Sequence, residues 1–242
     1  MESSLASFAE RGITEFTLQD EAILSHKGKL LHFLQVFREK AGDVFLTLPV
    51  RAELLDMDVC KACAEIFCTL EIPLEGVSKG NSYLFDKKFY SRRAQMLNTM
   101  GLVFGFDMDF AVTAGDSVKN FRDRLDFALS LYPNNLELFC LSVLPGTTLH
   151  DDAAGFGMQW QQEPPYHVIC TPHFGERELS RAARLSRATQ LFYNEGRAVP
   201  WFNSVLRPLK IAPSKFFSDF AEWQRCNNCG YARREKILEE SH

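Results

Sequence analysis

The sequence predicts an α/β fold: a partial (β/α) TIM-like barrel of parallel strands with a mostly helical C-terminal extension. Three observations lead there. Phe121, Leu125, Ala128 and Tyr132 recur three or four residues apart, which makes 116–131 an amphipathic helix between a strand at 102–112 and another that begins at Leu136. The same alternation of strand and helix runs back almost to Met1. The strands are apolar on one face only, whereas a sheet covered by helices on both faces is apolar on both.

Leu5, Phe8 and Ala9 followed by Gly12 read as the last turns of a helix with a glycine cap. A first strand is expected over 13–18, then a helix over 26–41 whose Leu30, Leu34 and Phe37 share a face before Gly42. The second strand covers 44–51. Asp56 is placed to cap a helix over 56–68, and a third strand follows over 70–75. A helix over 91–100 ends at Gly101, the fourth strand covers 102–112, and the helix after Ser117 leads to the fifth. There the apolar run from Leu136 is stopped by Pro145-Gly146, before Leu149. Residues 153–172 are rich in Gly, Pro and Gln and read as irregular. A long helix over 176–194 and another over 214–225 precede Cys226-Asn-Asn-Cys229 and a charged tail. The expected division is a barrel-like domain over 1–150 and an extension over 151–242.

A chain of 242 residues can bury a substantial core. With a net charge of -4 it has no basic field to attract nucleic acid and no polybasic run for a membrane surface, so the expected partner is a small molecule. No apolar stretch approaches bilayer length, and Met1-Glu-Ser-Ser lacks the regions of a signal peptide. Seven cysteines, an odd number, suit a reducing compartment, and a cytoplasmic location is expected.

Alternate residues of a strand point to opposite faces. Leu102, Phe104, Phe106, Met108 and Phe110 alternate with Val103, Gly105, Asp107 and Asp109, and Leu70, Ile72 and Leu74 with Glu71 and Glu75. Val44, Leu46, Leu48 and Val50 stand against Thr47, Arg51 and Glu53, and Phe16 and Leu18 against Thr17 and Gln19. The apolar side must meet helices, which leaves the polar side to line the interior. Barrel sites gather at the carboxyl ends of strands, so Gln19, Asp20, Arg51, Glu53, Glu75, Asp107 and Asp109 form the candidate site. Pairing with Arg51, or solvation at the rim, is the competing explanation for each carboxylate.

The order of these elements, with Glu71-Ile-Pro-Leu-Glu-Gly76, Gly105-Phe-Asp-Met-Asp109, Asn120-Phe-Arg-Asp-Arg-Leu-Asp-Phe127 and Leu141-Ser-Val-Leu-Pro-Gly-Thr147, resembles the radical SAM superfamily. Within it the resemblance is to Fe-S oxidoreductases that carry a cobalamin-binding domain before the core, and it covers about 13–149. It implies a 4Fe-4S cluster near the first strand and S-adenosylmethionine across the strand ends. The enzyme it implies reductively cleaves the sulfonium to start radical chemistry on an unknown substrate. By position, Gln19 and Asp20 would face the methionine end of the cofactor, Glu75 and Asp107 the ribose, and the backbone of Val143 and Leu144 the adenine. Glu53, at its own strand end, is counted with them.

The family's Cys-x-x-x-Cys-x-x-Cys is absent from this sequence. The expectation is therefore a fragment that begins after the cluster loop, inactive by itself and holding no bound cofactor. The missing N-terminal part of the same polypeptide would carry the cluster and the cobalamin domain. Pro73 and Glu75 stand where relatives have Gly and Gln, and Val112-Thr-Ala-Gly-Asp116 where they have Gly-Leu-Pro-Gly-Asp. Two other functions stay open. One is a complete barrel enzyme doing acid-base or divalent-metal chemistry with Glu53, Glu75, Asp107 and Asp109; the other is a non-catalytic scaffold that binds a ligand in its polar interior.

Cys60, Cys63 and Cys68 have the wrong spacing for the family's cluster and read as small apolar core residues. Cys226 and Cys229 have the spacing of half a metal site and no second pair nearby. His167, Cys170 and His173 lie in a Pro-interrupted segment that turns successive side chains apart, and Lys87-Lys88 and Arg92-Arg93 read as solvated. No metal ligand is assigned.

Overall fold

The computed structural model describes Leu5, Ser7 and residues 11–79, 82–112 and 116–227. It divides into two units, one of Met1–Val77, Leu84–Met108 and Leu131–Glu137, the other of Ser78–Tyr83, Asp109–Ser130 and Leu138–His242. The chain runs β1 (Glu15–Thr17), α1 (Glu21–Leu24), α2 (Lys27–Ala41), β2 (Phe45–Pro49), α3 (Met57–Ala64) and β3 (Cys68–Pro73). A two-stranded piece, β4 (Val77–Lys79) and β5 (Ser82–Leu84), leads into α4 (Lys87–Thr99), β6 (Val103–Phe110), α5 (Val118–Ser130) and β7 (Asn135–Cys140). Five parallel strands make one sheet in the order β1-β2-β3-β6-β7, the α/β partial barrel that the sequence predicts.

In the first unit the two faces of the sheet part as the alternation requires. Leu46, Leu48, Leu70, Ile72, Phe104, Phe106 and Met108 are buried. Phe16 lies 6.3 Å from Phe37 of α2, and Phe106 lies 6.5 Å from Tyr90 of α4, so this face is the one that helices cover. Each such side chain contributes ~1.5–3 kcal/mol by leaving water. A slip of one residue would send the whole row to the other side, which fixes the register. On that other side Thr47, Thr69, Glu71 and Asp107 are half-buried. Gly105 allows a close approach there: a Cβ on it would meet the Asn135 carbonyl oxygen at 3.0 Å.

The capping of α3 by Asp56 is as expected, its carboxylate accepting from the N–H of Asp58 at 3.1 Å and of Val59 at 3.2 Å while Lys27 bridges to it. The helix is shorter than expected, however. It ends at Ala64, and Cys68, expected inside it, opens β3 opposite Leu46. Helix α4 begins at Lys87 rather than 91 because Asp86 accepts from the Phe89 N–H at 2.9 Å and so starts the helix four residues earlier. Most of the expected opening helix lies outside the described residues.

In the second unit, α6 (Thr148–Ala153) precedes the stretch 153–172 that is expected to be irregular, and β8 (Gln159–Trp160) and β9 (Val168–Cys170) order part of it. Thr147 caps α6 by accepting from the His150 N–H at 3.2 Å. Helix α7 (Glu176–Thr189) begins where expected and passes into a π-helical turn, Gln190–Glu195. Helix α8 (Phe202–Leu209) was not expected, and α9 (Pro213–Cys226) was. An aromatic cluster fills this part: Phe202 stacks on Phe217 with centroids 5.1 Å apart, and Phe192 lies 4.9 Å from Phe216 and 5.2 Å from Phe220. Cys229 and the charged tail lie outside the described residues. No helix among the described residues is long and apolar enough to cross a membrane.

Candidate functional site

In the first unit the structure sets four of the predicted residues just beyond strand ends and a fifth, Asp107, inside a strand. Gln19 and Asp20 follow β1 and are exposed; one Asp20 carboxylate oxygen accepts from the N–H of Ala22 at 2.9 Å and Ile23 at 3.1 Å, capping α1. Glu53 is exposed in the turn after β2, beside Arg51, whose carbonyl accepts from the Leu54 N–H. Glu75 is exposed just past β3. Asp107, half-buried within β6, stands opposite Pro73, and its carbonyl accepts from the Leu74 N–H at 2.7 Å.

Tyr90 of α4 fixes the end of β3. Its hydroxyl accepts from the Glu75 N–H at 3.1 Å and lies 3.1 Å from the Pro73 carbonyl. The loop that presents Glu75 is thus held by the side chain of Tyr90 from the following helix, and no periodicity marks that role. The strand ends of this unit thus carry the carboxylates of Asp20, Glu53, Glu75 and Asp107, one Asp20 oxygen being engaged in capping α1. Carboxylates suit a ligand that offers hydroxyl donors or positive charge.

Deeper on the same face lies Glu71, which the sequence places on the polar side but not among the site residues. It stands between Pro49 and Gly105 in register, and Asn135 closes on Gly105 at that position. Burial, and then the nearby Glu137, push its carboxyl above the usual range. Asn135 donates to Glu137 at 3.1 Å. A folded-state pKa above the unfolded one means that stability is fully present below the unfolded value and is lost as pH rises through the folded one. Glu71→Gln removes that loss, so the variant should melt a few degrees higher than the parent at neutral pH. The gain should vanish at acid pH, where Glu71 is protonated in both states; calorimetry across pH reads the difference, and a pH-independent gain would contradict this account.

The second unit holds the remaining predicted residues. Val143 is fully buried with its N–H donated to the Tyr166 carbonyl at 2.9 Å, and Leu144 is exposed, its carbonyl accepting from the Thr147 hydroxyl at 2.7 Å. Asp109 is half-buried at the end of β6, and burial pushes the nearby Cys140 thiol up to about 11. Ser142 and His167 are hydrogen-bonded at 3.0 Å, and burial lowers the imidazole pKa. Two residues of the motifs that carry the family resemblance hold this unit together. Asp116 pairs with Arg124 at 3.1 Å, fully buried, and Asp126 accepts from the N–H and hydroxyl of Ser214 at the start of α9.

Among the described residues no group of three or more His, Cys, Asp or Glu side chains converges as a metal site. Cys60, Cys63 and Cys68 are buried in the core of the first unit, the packing expected of them.

Comparison with solved structures finds a fold shared with a radical S-adenosylmethionine methyltransferase. That protein, TsrM from Kitasatospora setae, with tryptophan substrate and a SAM analogue (aza-SAM) bound, superposes with a TM-score of 0.50 at 14% identity, over 68% of this chain and 35% of that one. The same protein with cobalamin and a [4Fe-4S] cluster gives a TM-score of 0.49 at 14% identity, over 74% of this chain and 39% of that one. The chain thus spans little more than a third of the length of these structures. No family model matches the chain, and no curated protein does.

Proposed function

We propose that this chain is the adenosyl-binding barrel portion of an enzyme of the radical SAM type. The carboxylates at the strand ends of the first unit, on a sheet of this fold, carry the proposal. The residues fit S-adenosylmethionine on chemical grounds: carboxylates at several strand ends suit the ribose hydroxyls and the positive charge of the ammonium and sulfonium groups. When bound, the cofactor supplies a sulfonium that can be reduced. Glu75 and Asp107 would orient the ribose, Gln19 and Asp20 would receive the methionine end, and Glu53 would add a further acceptor. Tyr90 keeps Glu75 in place.

The described residues do not fit an iron-sulfur cluster. Their three neighbouring cysteines are committed to the core, and the ligand-forming residue types do not converge elsewhere among them. In this reading a cluster, and cobalamin with it, belongs to polypeptide outside the described residues, and a complete enzyme uses them on a small-molecule substrate. The relative of similar fold is a methyltransferase, so methyl transfer stands beside oxidation-reduction as a reaction class for that enzyme.

The test uses S-adenosylhomocysteine, which resists cleavage, in calorimetric titration of the chain. Saturable binding is expected, weakened about tenfold or more by Asp107→Asn and by Glu75→Gln, because a hydrogen bond to a charged group is worth ~1.5–3 kcal/mol. Absence of binding, or binding that neither substitution alters, would overturn the proposal. Turnover of a substrate with Mg2+ and no iron would instead favour acid-base or divalent-metal chemistry at these carboxylates.

A further inference from the structure

Helix α8 is apolar on two sides. Its inner side, with Phe202, Asn203 and Leu206, is buried, and Asn203 donates to the Leu129 carbonyl at 2.8 Å, which fixes the rotation of the helix. Its outer side carries Val205 and Leu209, one turn apart and one and two turns after Trp201, and the three are 44% (Trp201), 45% (Val205) and 60% (Leu209) exposed. Exposed Ile211 follows them. At the other end ring contacts extend the row: Trp201 lies 5.6 Å from Phe192, Phe192 lies 5.2 Å from Phe220, and Phe220 lies 6.1 Å from the exposed Trp223. The charge along this stretch has one sign. Between Glu195 and Asp219 the sequence has Arg197, Arg207, Lys210 and Lys215 and no acidic residue. Asp219 pairs with Lys215 and Glu222 with Arg225, and residues 196–227 keep a net charge of +3. Residues 1–195 carry -7, so the composition of the whole chain hides this positive stretch.

We propose that the outer side of α8 docks on the headgroup region of a bilayer that contains anionic lipids. A row of apolar side chains on the outside of a helix is a ridge, and it lacks the enclosed pocket in which a protein partner holds its anchors. A lipid interface closes around such a ridge from every side and takes an indole at headgroup level. The helix would lie on the surface without crossing it, since its 8 residues measure roughly 12 Å. Arg197, Arg207 and Lys210 stand before, within and directly after α8, where an anionic surface attracts them. The charge thus matches phosphatidylglycerol or another acidic lipid, and the apolar row holds what the charge has attracted.

The experiment is co-sedimentation of the full chain with sucrose-loaded vesicles, made of phosphatidylcholine alone or with an equal share of phosphatidylglycerol. Binding to the mixed vesicles is expected, with a blue shift of tryptophan emission; it should be about tenfold weaker on phosphatidylcholine alone and should fall as salt is added. Val205→Ser combined with Leu209→Ser should weaken it about tenfold, and Lys210→Gln about fivefold. Both variants change exposed positions and should melt with the parent chain. Absence of binding to the mixed vesicles, equal binding to both kinds, or binding that neither variant alters would overturn the proposal. So would a concentration-dependent dimer in size-exclusion chromatography that the double serine variant abolishes, because the row would then belong to a second copy of the chain. The outcome does not depend on S-adenosylhomocysteine binding.

Discussion

Replacing Arg124 with leucine is expected to destabilise the second unit by ~3–5 kcal/mol, the cost of leaving a buried charge without its partner. Arg124 and Asp116 are 2% and 0% exposed, so water cannot stand in for the missing guanidinium. Burial already pushes the Asp116 carboxyl up, opposed by Arg124 and by the N–H groups of Ser117 and Val112. Without Arg124 the opposition weakens, and the deficit should therefore be largest at neutral pH and shrink as acid protonates Asp116. Urea titration measures it. Asp116→Asn combined with Arg124→Leu should recover most of the loss, because neither charge is then buried. A double variant as unstable as the single one would show that Arg124 matters for its volume or its place over the Tyr83 ring, 4.9 Å away, and not for its charge.

Phe202→Ala should cost a similar ~3–5 kcal/mol by opening a cavity in the aromatic cluster. Phe202 is 1% exposed and meets four rings, Phe217 at 5.1 Å, Tyr193 at 5.4 Å, Phe216 at 5.6 Å and Phe192 at 6.2 Å. These rings come from α8, α9 and the π-helical turn, so one deletion loosens three elements at once. Phe202→Leu, which keeps most of the volume, should cost clearly less. Equal losses for alanine and leucine in urea titration would mean that ring geometry, rather than filled space, holds the cluster together.

The division of the strands into an apolar and a polar face could be read from the sequence because a period of two survives any detail of packing. Leu70, Ile72, Phe104 and Phe106 needed no partner to reveal their side. Helix α8 stayed hidden because Pro208 reads as a breaker, and the helix does stop one residue after it. The end of α3 was misplaced because Cys68 suits a helix or a strand equally, and only pairing with Leu46 decides. Glu71 was left out of the site because attention to strand ends passes over a carboxylate in mid-strand. Tyr90 acts on backbone groups across a gap in sequence, which leaves no spacing to find. Arg124 and Asp126 were legible as part of a motif, but their work is structural: one answers a buried carboxylate and the other begins a helix.

The margin of the sheet at β1 bears on how the protein behaves in a crowded solution. Among the described residues β1 pairs with β2 alone, and it is only three residues long, roughly 10 Å of extended backbone. Outer rungs of such an edge are where a further strand adds. So few rungs hold a newcomer weakly, and the Glu15 charge at the first of them discourages an apolar one. Lasting addition at this margin requires side-chain contacts of its own, which turns a general hazard into a selective place of attachment.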